Sequence, residues 1–255
     1  MSEFFLELFS EEIPAGLQKN LREKIFEDFK NLFEEKSIRS KKNFSFSTPN
    51  RLVLVFEGLD KQIKIKSKEI RGPKTSAPEQ ALEGFLRSNK INKKDLFKKK
   101  TEKDEFYFYK TVATSLKTHD LLTEFIPKIL SNYQWKKSMK WGEFDLNWGR
   151  PLKSILSIFD KKIVSFKFHH LASSNLTFLD KDFEDKKKSF ENFKKYEKFF
   201  ENNGVIINQN KRLKIINKCF SKILEKKGLK INENPKLMDE VVNLVDSPNV
   251  LLCKF

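Results

Sequence analysis

The chain has 255 residues, enough to bury a substantial core in one large domain or two smaller ones. No apolar run is long enough to span a bilayer, and the acidic N-terminus, MSEFFLELFSEE, lacks the basic region of a secretory signal. Two cysteines and three histidines provide neither a disulfide framework nor metal-site spacing. We therefore predict a cytoplasmic protein with no membrane partner and no bound metal.

The 51 basic residues exceed the 35 acidic ones by 16. Such an excess favours a polyanionic partner, because each phosphate neutralised by a cation releases counterions. A strongly AT-biased genome would also enrich lysine, so the charge has two explanations. Only seven of the cations are arginine, and an arginine kept in such a chain indicates a need for a planar fork of donors. Three arginines lie within two residues of a proline or glycine, and this clustering suggests that they hold corners of the chain: Arg51, Arg71 and Arg150.

Four elements are predicted in the first third of the chain. Residues 4–9 are an apolar strand, and apolar residues at helical spacing predict a helix over 16–36. The alternating, β-branched sequence of residues 51–56 predicts a second strand. Residues 61–72, KQIKIKSKEIRG, alternate isoleucine with lysine and predict a third, joined to the second as a hairpin through a glycine-containing turn.

Helices and strands are predicted to alternate in the middle of the chain. A short helix covers residues 77–88, and a strand covers 105–112. A helix over 118–133 contains a proline that would kink it. A further strand covers 161–171.

The remainder is richer in helix. Helices are predicted over residues 189–203 and 208–227, followed by a short strand at 229–232. Asn234 as N-cap and Pro235 at the first helical position then open a last helix.

These elements predict an α+β fold in which a strand-rich N-terminal module with packed helices, residues 1–168, precedes a smaller, more helical module, 169–255. Residues 249–255, NVLLCKF, predict a final apolar strand with no polar tail. Because natural termini are usually exposed and poorly ordered, this ending indicates a fragment or the first part of a longer chain.

No familiar catalytic motif is present: GxGxxG, the P-loop, HExxH and GxSxG are all missing. The pair His119 and Asp120 lacks the further ligands that would hold a metal. His169 and His170 lie on one predicted strand, where successive side chains point to opposite faces. We predict no catalytic residue in this chain.

The stretch SMKWGEFDLNWGRPLKSIL, residues 138–156, stands out from its lysine-rich surroundings. Lys140, Trp141 and Arg150 are candidates for a patch that stacks bases and contacts phosphates. Alternatively, the two tryptophans of the stretch fill the core, its glycines allow tight turns and Pro151 begins a helix. We favour the core for the tryptophans.

Seven stretches carry a pattern that is specific when taken in order: FFLELFSEEIPAG, TPNRLVLVFEGL, EIRGPK, ALEGFLRSNKI, SMKWGEFDLNWGRPL, NNGVIINQNKRLKII and DEVVNLVDSPNVLLCKF. They include a Glu-Glu-apolar-Pro turn, Thr-Pro-x-Arg-Leu, Arg-Gly-Pro, Gly-Phe-x-Arg-Ser and basic-Met-basic-Trp-Gly followed by Arg-Pro. Together they resemble the β subunit of the bacterial heterotetrameric glycyl-tRNA synthetase over the whole chain.

The resemblance implies ATP-dependent attachment of glycine to tRNA(Gly) by an α2β2 tetramer. It implies that the α subunit carries the class II catalytic site and uses ATP with Mg, so that this chain needs no cofactor of its own. The β subunit would provide assembly and tRNA contacts. The residues expected to contact tRNA or the partner are Arg51, Arg71, Lys74, Arg87, Lys140, Trp141 and Arg150.

The chain departs from the family pattern at two places. After SSNLT the family continues with a Gly-His-Arg-Phe type element, whereas this chain reads FLDKDFEDKKK; the tryptophan that usually follows Arg-Pro is also missing, with Ser154 in that region. The family's β subunit continues into an HD-like domain and an anticodon-binding domain, so the resemblance covers its leading part. A stand-alone basic RNA-binding module and a truncated, non-functional fragment are the alternatives.

Overall fold

The computed structural model describes residues 2–65, 67–101, 104–179 and 187–253. The chain divides into two compact units: Met1–Lys61 with Thr118–Phe255 form unit 1, and Gln62–Lys117 form unit 2. The α+β class is confirmed, with a strand-rich N-terminal part followed by a more helical C-terminal part. The division predicted between residues 168 and 169 falls inside unit 1, and as a domain boundary it stays a prediction.

The described residues form six α-helices: α1 Ala15–Glu35, α2 Glu79–Asn89, α3 Thr118–Asn132, α4 Phe193–Asn202, α5 Gln209–Lys227 and α6 Pro235–Leu244. Their strands are β1 Glu3–Ser10, β2 Lys42–Thr48, β3 Arg51–Glu57, β4 Gln62–Ile65, β5 Glu69–Lys74, β6 Leu96–Lys100, β7 Glu105–Lys110, β8 Thr114–Lys117, β9 Leu152–Phe159, β10 Lys162–Ile163, β11 Lys167–Phe168, β12 Leu171–Ser174, β13 Leu176–Phe178 and β14 Lys187–Ser189.

All six predicted helices are confirmed, because their start and stop signals are local. Asn234 accepts a hydrogen bond from the amide of Leu237 at 3.1 Å and so caps α6 as predicted. Gly228 ends α5 in the left-handed conformation, with φ of 61°. The predicted start of α4 was four residues early, since the N-cap is Asn192.

Unit 1 is built on a seven-stranded sheet with β1 near its centre. The strand order is β11-β12-β9-β1-β3-β2, and β10 pairs with β9. β1 pairs antiparallel with both β3 and β9, and Leu6 lies opposite Leu54 on one side and Ser157 on the other. β12 alone runs parallel to its neighbour β9 among these described pairs.

Both faces of this sheet are covered, which explains the nearly unbroken apolar runs of β1 and β3. On one face α1 packs through Phe29 and Phe33, whose ring centroids lie 5.4 and 6.5 Å from that of Phe4. On the other face Phe5 contacts Tyr196 of α4, with centroids 4.9 Å apart. Each fully buried phenylalanine contributes about 2 kcal/mol through the hydrophobic effect.

The predicted hairpin between residues 51–56 and 61–72 is wrong. β3 lies between β1 and β2, so it has no free edge for another partner. Residues 61–72 contribute β4 and β5 to unit 2 instead, where they pair antiparallel with β8 and β7. The hairpin that includes β3 is formed with β2, through a turn at Pro49 and Asn50.

The strand predicted over residues 161–171 is also wrong as a single element. Asp160 and Lys161 have positive φ values of 50° and 66°, and they turn the chain from β9 into the short strand β10. His169, with φ of 52°, makes a second turn between β11 and β12. The two histidines therefore lie in a turn, and the prediction that they point to opposite faces of a strand does not apply.

Three predictions near element ends are wrong as well. Pro151 precedes β9, not a helix, because β9 is held by pairing with β1. Residues 229–232 and the described residues 249–253 have no strand partner and are not strands.

Within the described ranges, no helix combines the length and apolarity needed to cross a membrane.

Candidate nucleic-acid interface

Residues 135–150 link α3 to β9 in unit 1 with little regular structure. An isolated β-bridge closes this segment: the amides of Met139 and Trp148 donate to each other's carbonyl oxygens at 2.8 and 3.1 Å. Trp148 is buried, and its ring centroid lies 5.0 Å from that of Trp135 and 5.7 Å from that of Phe168. The core interpretation is confirmed for Trp148.

Trp141 is only half-buried and makes an edge contact with the ring of His170, with centroids 5.9 Å apart. Phe144 stacks on the same imidazole, with centroids 3.7 Å apart and an interplanar angle of 9°. Phe144 is 44% exposed, and His170 is exposed as well. We call Trp141, Phe144 and His170 the aromatic patch. Exposed rings of this kind provide surfaces on which unpaired bases stack.

The imidazole of His170 adds a ring without adding a fixed charge. Slight desolvation of its ring, together with the neighbouring His169, lowers the pKa of His170 below its ordinary value of 6.5. The neutral form therefore predominates at neutral pH, and it can stack face to face with Phe144 without the cost of desolvating a cation.

Two of the predicted candidates supply cations on the same segment. Lys140 precedes Trp141 and is largely exposed, with its ammonium 3.9 Å from a carboxylate oxygen of Asp145. Arg150 lies at the other end, where its Nε donates to the carbonyl of Glu12 at 3.1 Å and its Nη1 contacts Sδ of Met139 at 3.8 Å. Arg150 therefore fastens the segment to the turn after β1, as expected for an arginine that holds a corner.

Arg51 is 2% exposed, unlike the other candidates. Its Nη2 donates to the carbonyls of Phe178 and Leu179 at 2.5 and 2.9 Å, and its Nε lies 3.7 Å from a carboxylate oxygen of Glu7. The guanidinium also lies 4.6 Å from the ring centroid of Phe200. These contacts show a corner-holding role, and contact with RNA would require the side chain to leave all of them.

The buried carboxylate of Glu7 is the counterpart of Arg51. It accepts hydrogen bonds from the hydroxyls of Thr177 and Tyr196. Burial raises the pKa of Glu7, and the charge of Arg51 opposes that rise. The departure from the family pattern follows directly after Thr177, and its residues 180–186 lie outside the described part of the chain.

The other three candidates belong to unit 2. The guanidinium carbon of Arg71 lies 3.6 Å from the ring centroid of Phe106, a cation–π contact at the surface. The ammonium of Lys74 lies 2.7 Å from Asp104, and Nη2 of Arg87 lies 3.6 Å from Glu83. All three cations are exposed.

Two members of the aromatic patch were not among the predicted site residues. Phe144 lies in the acidic sequence GEFDL, and the pair His169 and His170 was considered only as a metal ligand. The signal for His170 is absent from the sequence, because only the turn between β11 and β12 brings it beside Trp141. In the described residues, no group of three or more His, Cys, Asp or Glu side chains is placed to hold a metal ion.

Comparison with known families gives one match over nearly the whole chain. The family described as "Glycyl-tRNA synthetase beta subunit" matches residues 4–255.

Curated relatives agree with this match. The chain is 38% identical to the glycine–tRNA ligase beta subunit of Rickettsia bellii (strain OSU 85-389) over 253 residues and 36% identical to that of Rickettsia canadensis (strain McKiel) over 252 residues; each alignment covers 99% of the chain. It is 38% identical to that of Rickettsia typhi (strain ATCC VR-144 / Wilmington) over 256 residues, or 100% of the chain. The chain spans 38% of the length of each relative.

Proposed function

The chain belongs to the glycyl-tRNA synthetase beta subunit family, and we propose on that premise that it supports the attachment of glycine to tRNA(Gly). It would act as the N-terminal part of a glycine–tRNA ligase β subunit, through assembly with an α subunit and through contacts with the tRNA. The observation that carries the proposal is the match of the family over residues 4–255.

The aromatic patch supports the RNA contact. Phe144 and His170 offer stacked rings at the surface, and Trp141 joins them from the side. Lys140 is exposed directly beside Trp141 and is available to a phosphate. Protein surfaces that bind single-stranded RNA combine aromatic rings, on which bases stack, with cations that contact phosphates. Arg71, Lys74 and Arg87 would provide further contacts from unit 2.

The chemistry itself is assigned to the partner. The α subunit would hold the catalytic site and use ATP with Mg, in an α2β2 assembly in the cytoplasm. Glu7 and Arg51, the described ion pair with the least exposure, lie 3.7 Å apart, and each is hydrogen-bonded to neighbouring groups inside the fold of unit 1. Their arrangement favours a structural role for them over a role in acid–base chemistry.

Glycylation assays test this proposal directly. The chain, the α subunit from the same genome and a mixture of the two are assayed with tRNA(Gly), and the α subunit is captured in parallel with the tagged chain. We expect the α subunit to co-purify with the chain. We also expect the mixture to charge tRNA(Gly), either directly or after the remainder of a relative's β subunit is added. Binding of RNA without any binding of α would favour a stand-alone RNA-binding module, and binding of neither would contradict the proposal.

Replacement of Arg150 with lysine tests the residue that fastens the patch. Lysine keeps the charge but loses the fork that reaches both Glu12 and Met139. We expect weaker tRNA binding because the segment carrying Lys140 and Trp141 loses its anchor. Arg39→Lys is the matched control, since Arg39 is 89% exposed and distant in sequence from the patch. Equal tRNA affinity and stability in both variants would contradict this role.

A further inference from the structure

Helix α5 carries a row of four exposed lysines. They recur every fourth residue, and they form one row that is inclined to the helix axis: Lys214, Lys218, Lys222 and Lys226. Four helical residues rise about 6 Å, so the line is about 18 Å long. We call this set the lysine ridge.

The ridge is not neutralised by its own helix. α5 contains seven basic residues and one acidic residue, Glu225. Each ridge lysine has another ridge lysine four positions away, and like charges at this spacing destabilise a helix. None of the four lies within ion-pair distance of a carboxylate in the described ranges.

In three other helices, lysines form ion pairs with acidic residues four positions away. In α1, Lys24 pairs with Asp28 at 2.6 Å, and in α3, Lys128 pairs with Glu124 at 2.5 Å. In α4, Lys195 pairs with Glu191 at 3.0 Å. Among these helices α4 has one comparable pair, Lys194 and Lys198, and each of the two has an acidic residue three positions further on. A genome bias toward lysine acts on all helices alike, so it does not explain the row of four lysines in α5 with no acidic residue four positions away.

The first half of α5 is held against the rest of unit 1 by buried residues that lie outside the ridge. Arg212 is fully buried; its Nη2 donates to the carbonyl of Ser47 at 2.8 Å and its Nε to that of Val242 at 3.0 Å. Ile216 is buried one turn further on. Asn208 and Gly228 cap the two ends of the helix.

We propose that the lysine ridge binds the phosphate backbone of tRNA. The inference rests on the proposed function, and it adds a surface separate from the aromatic patch. Lysine ammonium groups act as compact point charges, and an evenly spaced line of them suits a strand of phosphates better than it suits recognition of bases. The ridge therefore contributes affinity and orientation, whereas base contacts would come from elsewhere.

A quadruple variant tests the ridge. Lys214→Gln, Lys218→Gln, Lys222→Gln and Lys226→Gln are combined, and the control combines four exposed, scattered substitutions of equal charge: Lys19→Gln, Lys42→Gln, Lys94→Gln and Lys162→Gln. Binding of fluorescent tRNA(Gly) to the full chain together with its α subunit is measured by anisotropy between 50 and 200 mM salt. Thermal unfolding confirms that both variants fold.

We expect the ridge variant to bind on the order of tenfold more weakly, with a slope of log K against log salt smaller in magnitude by about 3. The control should change affinity less than about threefold. Equal losses in both variants would overturn the proposal, because overall charge would then explain them. Loss of α-subunit capture with unchanged tRNA affinity would also overturn it and would identify the ridge as a protein interface. Failure of the wild-type complex to bind tRNA would instead overturn the proposed function, and the ridge proposal with it.

Discussion

Arginine is scarce in this chain, and two of its three buried copies show why a fork of donors is needed. Arg51 donates to two carbonyls and forms an ion pair with the Glu7 carboxylate. Arg212 donates to the carbonyls of Ser47, Ile206 and Val242. Lysine could not reach several acceptors in different directions, because its donors share one nitrogen. The expectation that arginine marks a need for a fork is confirmed for these residues, although Arg212 was not among the predicted site residues.

Loss of Arg51 should be costly at neutral pH. Arg51→Met keeps much of the volume but leaves Glu7 as an uncompensated buried carboxylate, so we expect unfolding free energy to fall by about 3–5 kcal/mol in denaturant titrations at pH 7. Arg39→Met, at an exposed ion pair, should change it by less than about 0.5 kcal/mol. A change as small for Arg51→Met as for the control would contradict this account.

The same variant has a defined pH dependence. The pKa of Glu7 is already raised by burial, and loss of Arg51 raises it further. A folded-state pKa above the unfolded value means that the folded protein binds a proton that the unfolded chain releases, so acidification toward 4.5 stabilises the folded state. The stability difference between wild type and Arg51→Met should therefore shrink as pH falls from 7 to 4.5. A constant difference would assign the loss to packing.

Glycine is required at position 149 because the ring of Trp135 lies too close for a Cβ atom. A Cβ at this position would lie 2.1 Å from the nearest atom of the Trp135 ring, which packs on Trp148. Gly149→Ala should lower the free energy of unfolding by about 1–3 kcal/mol, since the ring must move. Gly84→Ala in α2, where no atom lies within 4 Å, should raise it by about 0.5–1 kcal/mol. Chemical denaturation distinguishes these opposite signs.

Among the elements, helices were predicted far better than strand partners. The signals for α5 and α6 are local: Asn208 and Asn234 at the N-caps, and Gly228 at the C-terminus. β9 was missed because Pro151 in front of it suggested a helix, whereas pairing with β1 makes it a central strand. A strand becomes stable only when a distant segment supplies its hydrogen bonds, and sequence periodicity does not name that segment.

The lysine ridge has a predicted effect on stability that is opposite to its effect on binding. Lys218→Gln with Lys222→Gln removes all three like-charge pairs of the ridge, so we expect unfolding free energy to rise by about 0.5–1.5 kcal/mol at low salt. Lys24→Gln, which breaks the pair with Asp28, should lower it by a few tenths of a kcal/mol. Thermal unfolding at low and high salt measures both effects, and a destabilised ridge variant would contradict the repulsion argument.

At the scale of the whole molecule, unit 2 is an insertion between two adjoining ends of unit 1. The amide of Thr118 donates to the carbonyl of Lys61 at 3.0 Å, and the Thr118 hydroxyl donates to the carbonyl of Asp60 at 2.5 Å. Within unit 2 the first and last strands, β4 and β8, pair antiparallel. The hydrogen bonds of Thr118 hold the two ends of unit 1 together, and the pairing of β4 with β8 holds the two ends of unit 2 together.

Excision of unit 2 should therefore leave unit 1 folded. With residues 62–117 replaced by a turn of two to four residues, we expect cooperative thermal unfolding to persist, because the joined ends already lie within hydrogen-bond distance. Near-ultraviolet circular dichroism would report the packing of Trp135 and Trp148 in unit 1. Loss of that signal together with loss of cooperativity would show that unit 1 depends on unit 2.

The sequence by itself determined the family, the α+β class, the six helices and the positions of the strands β1 and β3. Tertiary structure alone decided that β3 pairs with β2, that Arg51 is buried beside Glu7, and that His170 lies between Phe144 and Trp141. Helix caps and periodicity act between residues a few positions apart. Strand partners, burial and the aromatic patch depend on which distant segments the folded chain brings into contact, and that information is spread over the whole chain.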